Sequence, residues 1–422
     1  MKVLWITNIL FPEAAAKIQG NGELRSSGGW MLGAAENLIK ENDIELYVAT
    51  VSSLVTSVQR IEGKHIVYYV IPCNKSNLKY GAKYWDSWVQ VESSVKPDIV
   101  HIYGTECEYG YEYMLACGTE NVVVSIQGMT TAYYPYYHYG ISKGEIYRNL
   151  TLRDVIKGSI LKGQRNFKFS SKYEISMLMK VNHIIGRTSW DYARTWAINP
   201  NAQYHFCNET LRPEFYDGSL WDYATCSRHS IFLSQAGYPI KGLHQVLKAM
   251  PLILKNYPDT ILHVAGYDIT KISSLRDFLR LSGYGKYIRR LIKRLKLKDR
   301  VIFTGNLNAE EMKKEYLSAN VFVCPSSIEN SPNSLGEAQI LGVPCLATYV
   351  GGVPDMMTGC EDNLYRFEEV EMLAHKICCI FMNQDKPNLD MVERAKERHN
   401  PYINRVKLYS IYRDIIEVNA GI

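Results

Sequence analysis

Cys324-Pro325-Ser326-Ser327-Ile328-Glu329-Asn330-Ser331-Pro332-Asn333-Ser334-Leu335-Gly336-Glu337-Ala338 is the stretch of this 422-residue chain from which the fold is best read. The residues leading into it, Val321 to Cys324, form a short apolar, β-branched run, and the pattern predicts a buried strand there. A polar loop carrying Glu329 follows, and a helix opens near Asn333 or Ser334. A strand that hands over to a helix through a short loop is the unit of a parallel α/β sheet. The backbone N–H groups at such a helix start form an anion site at the carboxyl end of a strand, where open α/β sheets bind ligands. Glu337, one turn into the helix, is placed to accept two hydrogen bonds from a ribose diol. Ser334-Leu335-Gly336-Glu337 also has the S-x-x-E spacing of a capping box, which is purely structural. Spacing alone leaves both readings open.

Working outward, the same pattern recurs along the chain. In the second half, Ser230 to Ser234 reads as a strand that turns at Gly237-Tyr238-Pro239 into a helix with Leu243, Val246, Leu247, Met250 and Ile253 on one face. Lys241 stands at the entrance of that helix, where it is either a solvated charge or part of an anion clamp. Further strands are expected at Ile261 to Ala265, Val301 to Thr304 and Pro344 to Thr348. In the first half, Val3 to Thr7, Ile44 to Thr50, Ile66 to Ile71, Pro97 to Ile102 and Val122 to Ile126 are the strand candidates, the last running into Gln127-Gly128. The loop after the first strand ends in Ser26-Ser27-Gly28-Gly29. Strands alternating with helices in both halves predict two doubly wound α/β domains facing each other across a cleft. The polar, irregular stretch 212–229 reads as the linker, which sets the domains at 1–212 and 213–400. A C-terminal helix over 401–422, with Leu408, Ile411, Tyr412, Ile415 and Ile416 on one face, is expected to cross back to the first domain.

Composition excludes several function classes. Hydrophobic residues are 46% and charged residues 22%, which rules out a disordered or coiled-coil chain. A net charge of +5 suits a polyanionic small molecule or a membrane surface, and no nucleic-acid partner is expected. Ten cysteines without a C-x-x-C spacing read as reduced thiols of a cytoplasmic protein. The N-terminus does not have the layout of a signal peptide, and no run of about 18 apolar residues spans a bilayer. H-E-x-x-H, G-x-x-x-x-G-K-[ST] and Asp-x-Asp are all absent. Without paired aspartates to hold a divalent ion, a bound pyrophosphate would have to be neutralised by basic side chains and helix N-termini.

Taken together, Gly28-Gly29, Asp98-Ile99-Val100-His101, Lys241-Gly242, Val301-Ile302-Phe303-Thr304-Gly305, the Glu329…Glu337 spacing, Gly342-Val343-Pro344 and Gly351-Gly352-Val353-Pro354 occur in an order that resembles the family 4 retaining glycosyltransferases, which have the GT-B fold. The resemblance implies a metal-independent retaining hexosyltransferase with no cofactor. Its donor would be a UDP- or GDP-hexose on the second domain, and its acceptor a glycan or lipid-linked glycan on the first, as in cell-surface polysaccharide synthesis. Lys241 and Glu329 would be the catalytic pair. Glu337, Asn333, Ser334, Leu335, Gly28, Gly29 and Gly305 would hold the nucleotide-sugar, and Gln127 and Tyr103 would contact acceptor or sugar. Two positions depart from the family pattern: Ala236 stands where the family has an arginine, and Gln127 where it has a histidine. These departures keep a non-catalytic nucleotide-sugar-binding subunit open as a rival, and a sugar-nucleotide 2-epimerase is the other.

Two further stretches bear on a peripheral contact with the inner face of a membrane. Lys286 to Lys296 is a basic amphipathic helix, either a surface helix of the second domain or a membrane-facing one. Tyr133-Tyr134-Pro135-Tyr136-Tyr137-His138-Tyr139, followed by seven basic residues between Arg153 and Lys180, is either a loop packed on itself or a receiver for a lipid-linked acceptor.

Overall fold

The structure, a computed structural model, describes residues 1–20, 29–73, 84–383 and 386–420. The chain divides into two compact units, Met1–Thr131 with Phe169–Leu211 and His399–Ile422, and Ala132–Lys168 with Arg212–Arg398. Residues 132–168, read from sequence as part of the first domain, therefore belong with the second unit.

The first unit is built on strands β1 (Lys2–Thr7), β2 (Glu45–Ser52), β3 (Gln59–Glu62), β4 (Ile66–Pro72), β5 (Ile99–Tyr103), β6 (Val122–Ser125), β7 (His183–Gly186) and β8 (Gln203–Phe206). Their order is β3-β4-β2-β1-β5-β6-β7-β8, and only the β3–β4 pairing is antiparallel. Every residue of β5 is buried, as a parallel strand covered on both faces requires. The helix Pro401–Ala420 packs Leu408, Ile411, Tyr412 and Ile415 into this core. Its Tyr412 hydroxyl accepts from Trp5 Nε1 at 3.0 Å and meets His101 Nδ1 at 2.5 Å. Burial lowers the pKa of His101 to about 3, so this imidazole is neutral and structural.

The second unit carries β9 (Ser227–Leu233), β10 (Ile261–Ala265), β11 (Val301–Gly305), β12 (Ala319–Cys324), β13 (Cys345–Thr348) and β14 (Leu364–Tyr365) in the order β11-β10-β9-β12-β13-β14, all parallel. Chain order reverses at β1 in one sheet and at β9 in the other. Those two switch points are where a doubly wound sheet opens a crevice at its carboxyl edge.

One expectation changes, and two readings left open above are decided. The stretch 212–229 is not a loose linker, because Phe215, Trp221 and Cys226 are buried in the second unit's core and Trp221 Nε1 donates to the Ala319 carbonyl at 2.7 Å. The basic helix Gly283–Arg294 turns Ile288 and Leu291 into that unit's core, so its apolar stripe is not a membrane face. Three of its basic side chains are held by the chain itself: Lys286 by the Leu150 carbonyl, Arg289 by the Thr270 carbonyl and Arg290 by Asn149 Oδ1. The tyrosine-rich segment also packs within the second unit, where Ile141, Ile146 and Ile160 join its core.

Candidate active site

At the second switch point, the loops leaving β9 and β12 bring Lys241 and Glu329 together. Lys241 Nζ donates to Glu329 Oε1 at 2.5 Å, and the same oxygen accepts from Ser326 Oγ at 2.8 Å. Both side chains are largely withdrawn from water, at 18% and 9% exposure. Burial on its own would lower the Lys241 pKa, but the Glu329 carboxylate and the Tyr238 hydroxyl beside it raise it above the usual lysine range. Lys241 is therefore a fixed cation, with its ammonium also over the Tyr238 ring.

The glycines quoted above explain why the loops can meet. Gly242 has φ +71°, and a Cβ there would fall 1.8 Å from the Pro325 carbonyl oxygen. The Ser327 N–H donates to the Ile240 carbonyl at 2.8 Å, fastening one loop to the other. Gly351, at φ +54°, approaches the Glu329 carbonyl so closely that a Cβ would sit 1.8 Å from it, and the Gly352 N–H donates to that carbonyl at 3.1 Å. The tyrosine segment closes the other side: Tyr133 Oη accepts from the Asn330 N–H at 3.1 Å, and Ser327 Oγ donates to the Tyr136 carbonyl at 3.0 Å.

Glu337 has a different neighbourhood. Arg212 Nε and Nη2 donate to its two oxygens at 2.8 and 2.9 Å, and Tyr316 Oη donates at 3.3 Å. This fork-on-fork pair is the strongest geometry open to an arginine and a carboxylate. Burial raises the Glu337 pKa, while Arg212 pulls it down. The capping-box reading fails, because the helix Asn333–Ile340 has Pro332 as its N-cap and no side-chain cap. A carboxylate offers about four lone-pair sites. Arg212 uses two of them, and the one Tyr316 hydroxyl hydrogen is shared between a third and the Ser334 carbonyl, so at least one is left for a ligand hydroxyl.

Asn333 begins this helix. The Ser334 carbonyl accepts from Tyr316 Oη at 3.0 Å, and the Leu335 N–H donates to the Pro332 carbonyl at 2.9 Å. Leu335's amide is thus already engaged within the turn. Gly305 ends β11 and pairs with Gly266 across an isolated bridge. Gly29 begins the helix Gly29–Leu38, and Gly28 lies outside the described residues.

In the first unit, Tyr103 and Gln127 line one pocket of about 50 Å³ together with Arg187, Glu209 and Trp30. Tyr103 stacks on His101 with ring centroids 3.9 Å apart. Arg187 forms a buried ion pair with Glu209 at 2.5 Å and donates to the Ile126 carbonyl at 2.8 Å, with Gln127 Oε1 at 3.5 Å. Glu106 is nearby; its Oε1 accepts from the Gly128 N–H at 3.1 Å, and its Oε2 has no partner among the described residues. Burial pushes the Glu106 carboxyl up to about 7.

Sequence alone assigns no site role to Arg212, Tyr316, Ser326, Arg187, Glu209 or Glu106. Arg212 directly before Pro213 gave no local signal, whereas Glu106, just after a predicted strand, could have been flagged by position. Among the described residues no three His, Cys, Asp or Glu side chains converge in a metal-binding group.

Residues 228–398 match the family described as "Glycosyl transferases group 1". A putative glycosyltransferase of Bacillus subtilis, YtcC, is 34% identical over 116 residues, 27% of this chain and 26% of that protein. The GDP-mannose-dependent alpha-(1-6)-phosphatidylinositol monomannoside mannosyltransferase of Mycolicibacterium smegmatis is 27% identical over 124 residues, 28% of this chain and 29% of that protein. The chain thus spans under a third of the length of either relative. Among solved structures, sucrose-phosphate synthase from Thermosynechococcus elongatus superposes with a TM-score of 0.71 at 16% identity, covering 99% of each chain. Anabaena HepE in complex with UDP-glucose gives 0.63 at 14% identity over 100% of each. Residues 228–398, which hold both Lys241 and the loop from Glu329 to Glu337, thus resemble the glycosyl transferases group 1 family, and the two-sheet architecture matches that of GT-B glycosyltransferase structures.

Proposed function

We propose that the chain is a retaining glycosyltransferase that moves a hexosyl group from a nucleoside diphosphate hexose to a hydroxyl of a glycan or lipid-linked glycan, without an obligatory metal. The observation that carries this reading is the Lys241–Glu329–Ser326 cluster at the switch point of the second sheet. As the bond between the sugar C1 and the pyrophosphate oxygen breaks, negative charge gathers on the departing diphosphate. A buried, fixed ammonium and the first turn of the helix Asn333–Ile340 stand where that charge can be offset. Glu329, held by Lys241 and Ser326, keeps further lone pairs for a sugar hydroxyl, and Glu337 offers one to the ribose. Relatives that use GDP-mannose and a neighbour that holds UDP-glucose support a nucleotide-hexose donor without choosing the base. Gln127 and Tyr103 line the pocket assigned to acceptor or sugar. Ten free thiols support a reducing, cytoplasmic setting.

A second reading, donor binding without turnover, is favoured by one observation. Ala236 is 4% exposed and packed in the core, so no arginine reaches the site from that position. The two readings separate in one experiment. A thermal-shift screen against UDP, GDP and ADP and their hexoses identifies the ligand. The same donor is then incubated with glycan and lipid-linked acceptors, and its consumption is followed. Stabilisation with turnover supports transfer, stabilisation alone supports the binding subunit, and no stabilisation by any nucleotide defeats both.

A further inference from the structure

In the second unit, the short helices Leu152–Lys157 and Leu275–Arg280 lie side by side. Thr151 Oγ1 donates to the Leu281 carbonyl at 2.9 Å, and Arg153 Nη1 donates to the Arg280 carbonyl at 2.5 Å. The helix Leu275–Arg280 buries none of its residues, although Leu275, Phe278 and Leu279 share one face. Ile156 is 79% exposed and Leu275 75%, with Leu152, Tyr267, Phe278 and Leu279 all half exposed or more. Leu152, Ile156, Tyr267 and Leu279 line one shallow depression with Arg153 and Arg280. An apolar cluster this exposed on a soluble surface marks an interaction site.

The charges around it choose the partner. Arg153, Lys271, Arg276 and Arg280 are all exposed. The acids of the same elements keep their charge but lie deeper: Asp154, buried, accepts from the Thr151 and Ile160 N–H groups, while Asp268 and Asp277, half-buried, accept from Thr270 and Ser273. The patch is therefore apolar at its centre, and its rim presents four exposed basic side chains against two half-buried acids and one buried acid. Arginines interleaved with leucine, phenylalanine and tyrosine suit the headgroup boundary of an anionic bilayer, where guanidinium groups meet phosphates and the apolar side chains enter the acyl region. We propose that this face of the second unit docks on an anionic lipid surface. No described helix is long and apolar enough to cross a membrane, so the contact is peripheral.

The test uses the full chain with vesicles of phosphatidylcholine alone or mixed with phosphatidylglycerol, and no nucleotide, so it is independent of the transferase reading. Co-sedimentation should require phosphatidylglycerol and weaken with salt. The variant Ile156→Ser with Leu275→Ser should bind at least about tenfold more weakly, through the apolar surface it loses. Arg153→Ala with Arg276→Ala should lose roughly fivefold per arginine. Removal of an exposed charge elsewhere, Lys314→Ala, should change little. Unchanged melting of each variant confirms that it folds. Absence of vesicle binding, or equal binding by the serine variant, overturns the proposal. So does a dimer that the serine variant abolishes, since a second copy would then cover the patch.

Discussion

Replacing Lys241 separates a structural ion pair from a catalytic one. Lys241→Ala leaves the carboxylate of Glu329, whose side chain is 9% exposed, with only the Ser326 hydroxyl in place of an ammonium at 2.5 Å. Breaking a buried pair from one side typically costs about 3–5 kcal/mol. The low end is expected here, because the Lys241 side chain is 18% exposed and water can enter its place. Loss of one preorganised donor to the leaving group should also slow transfer by roughly 10²–10³. The single variant cannot tell these effects apart, since a half-unfolded protein is slow for trivial reasons. The double variant Lys241→Met, Glu329→Gln removes both charges at similar volume and leaves no unpaired ion. Its melting temperature should return close to that of the parent, whereas transfer at saturating donor should stay down by at least about tenfold. Recovery of both stability and rate in the double variant would refute the role given to Lys241.

Three other outcomes follow from the same geometry. Glu337→Gln breaks the bidentate pair with Arg212 and should cost about 2–3 kcal/mol as well as weaken nucleotide binding, measured by melting and by titration; melting like the parent would show that the pair carries no weight. The Glu106 carboxyl titrates near 7 in the folded chain and at an ordinary 4.5 when unfolded, so the folded state holds the extra proton between those values and this group's contribution to stability falls as pH rises through that window. Melting curves of the parent and Glu106→Gln should therefore diverge from pH 4.5 to 7, and parallel curves would remove Glu106 from the account. Transfer should continue in excess EDTA, because the proposed site for the leaving diphosphate relies on Lys241 and the start of the helix Asn333–Ile340 rather than on a divalent ion; full dependence on Mg²⁺ or Mn²⁺ would overturn that chemistry.

Sequence by itself determined the two parallel sheets, because a strand buried on both faces reads as a near-continuous apolar run, and Val3 to Ile6, Val122 to Val124 and Val321 to Cys324 are such runs. The family resemblance also marked Lys241-Gly242 and Gly351-Gly352, where Gly242 and Gly351 take a left-handed φ beside another loop's carbonyl, a place that favours glycine. The four-residue strands His183–Gly186 and Gln203–Phe206 are not legible in the sequence, being short and carrying histidines that meet in the fold, His183 Nδ1 to His205 Nε2 at 3.1 Å. Only the tertiary structure decided what Glu337 does. Its spacing from Ser334 fits a capping box and a ribose site equally, and the donor that occupies it, Arg212, lies 125 residues earlier in a stretch that looks like a linker. The same holds for residues 132–168, whose tyrosines fasten to the Glu329 loop through a backbone N–H and a serine hydroxyl. A hydrogen bond between distant residues leaves no periodicity in either segment, so packing alone reveals it.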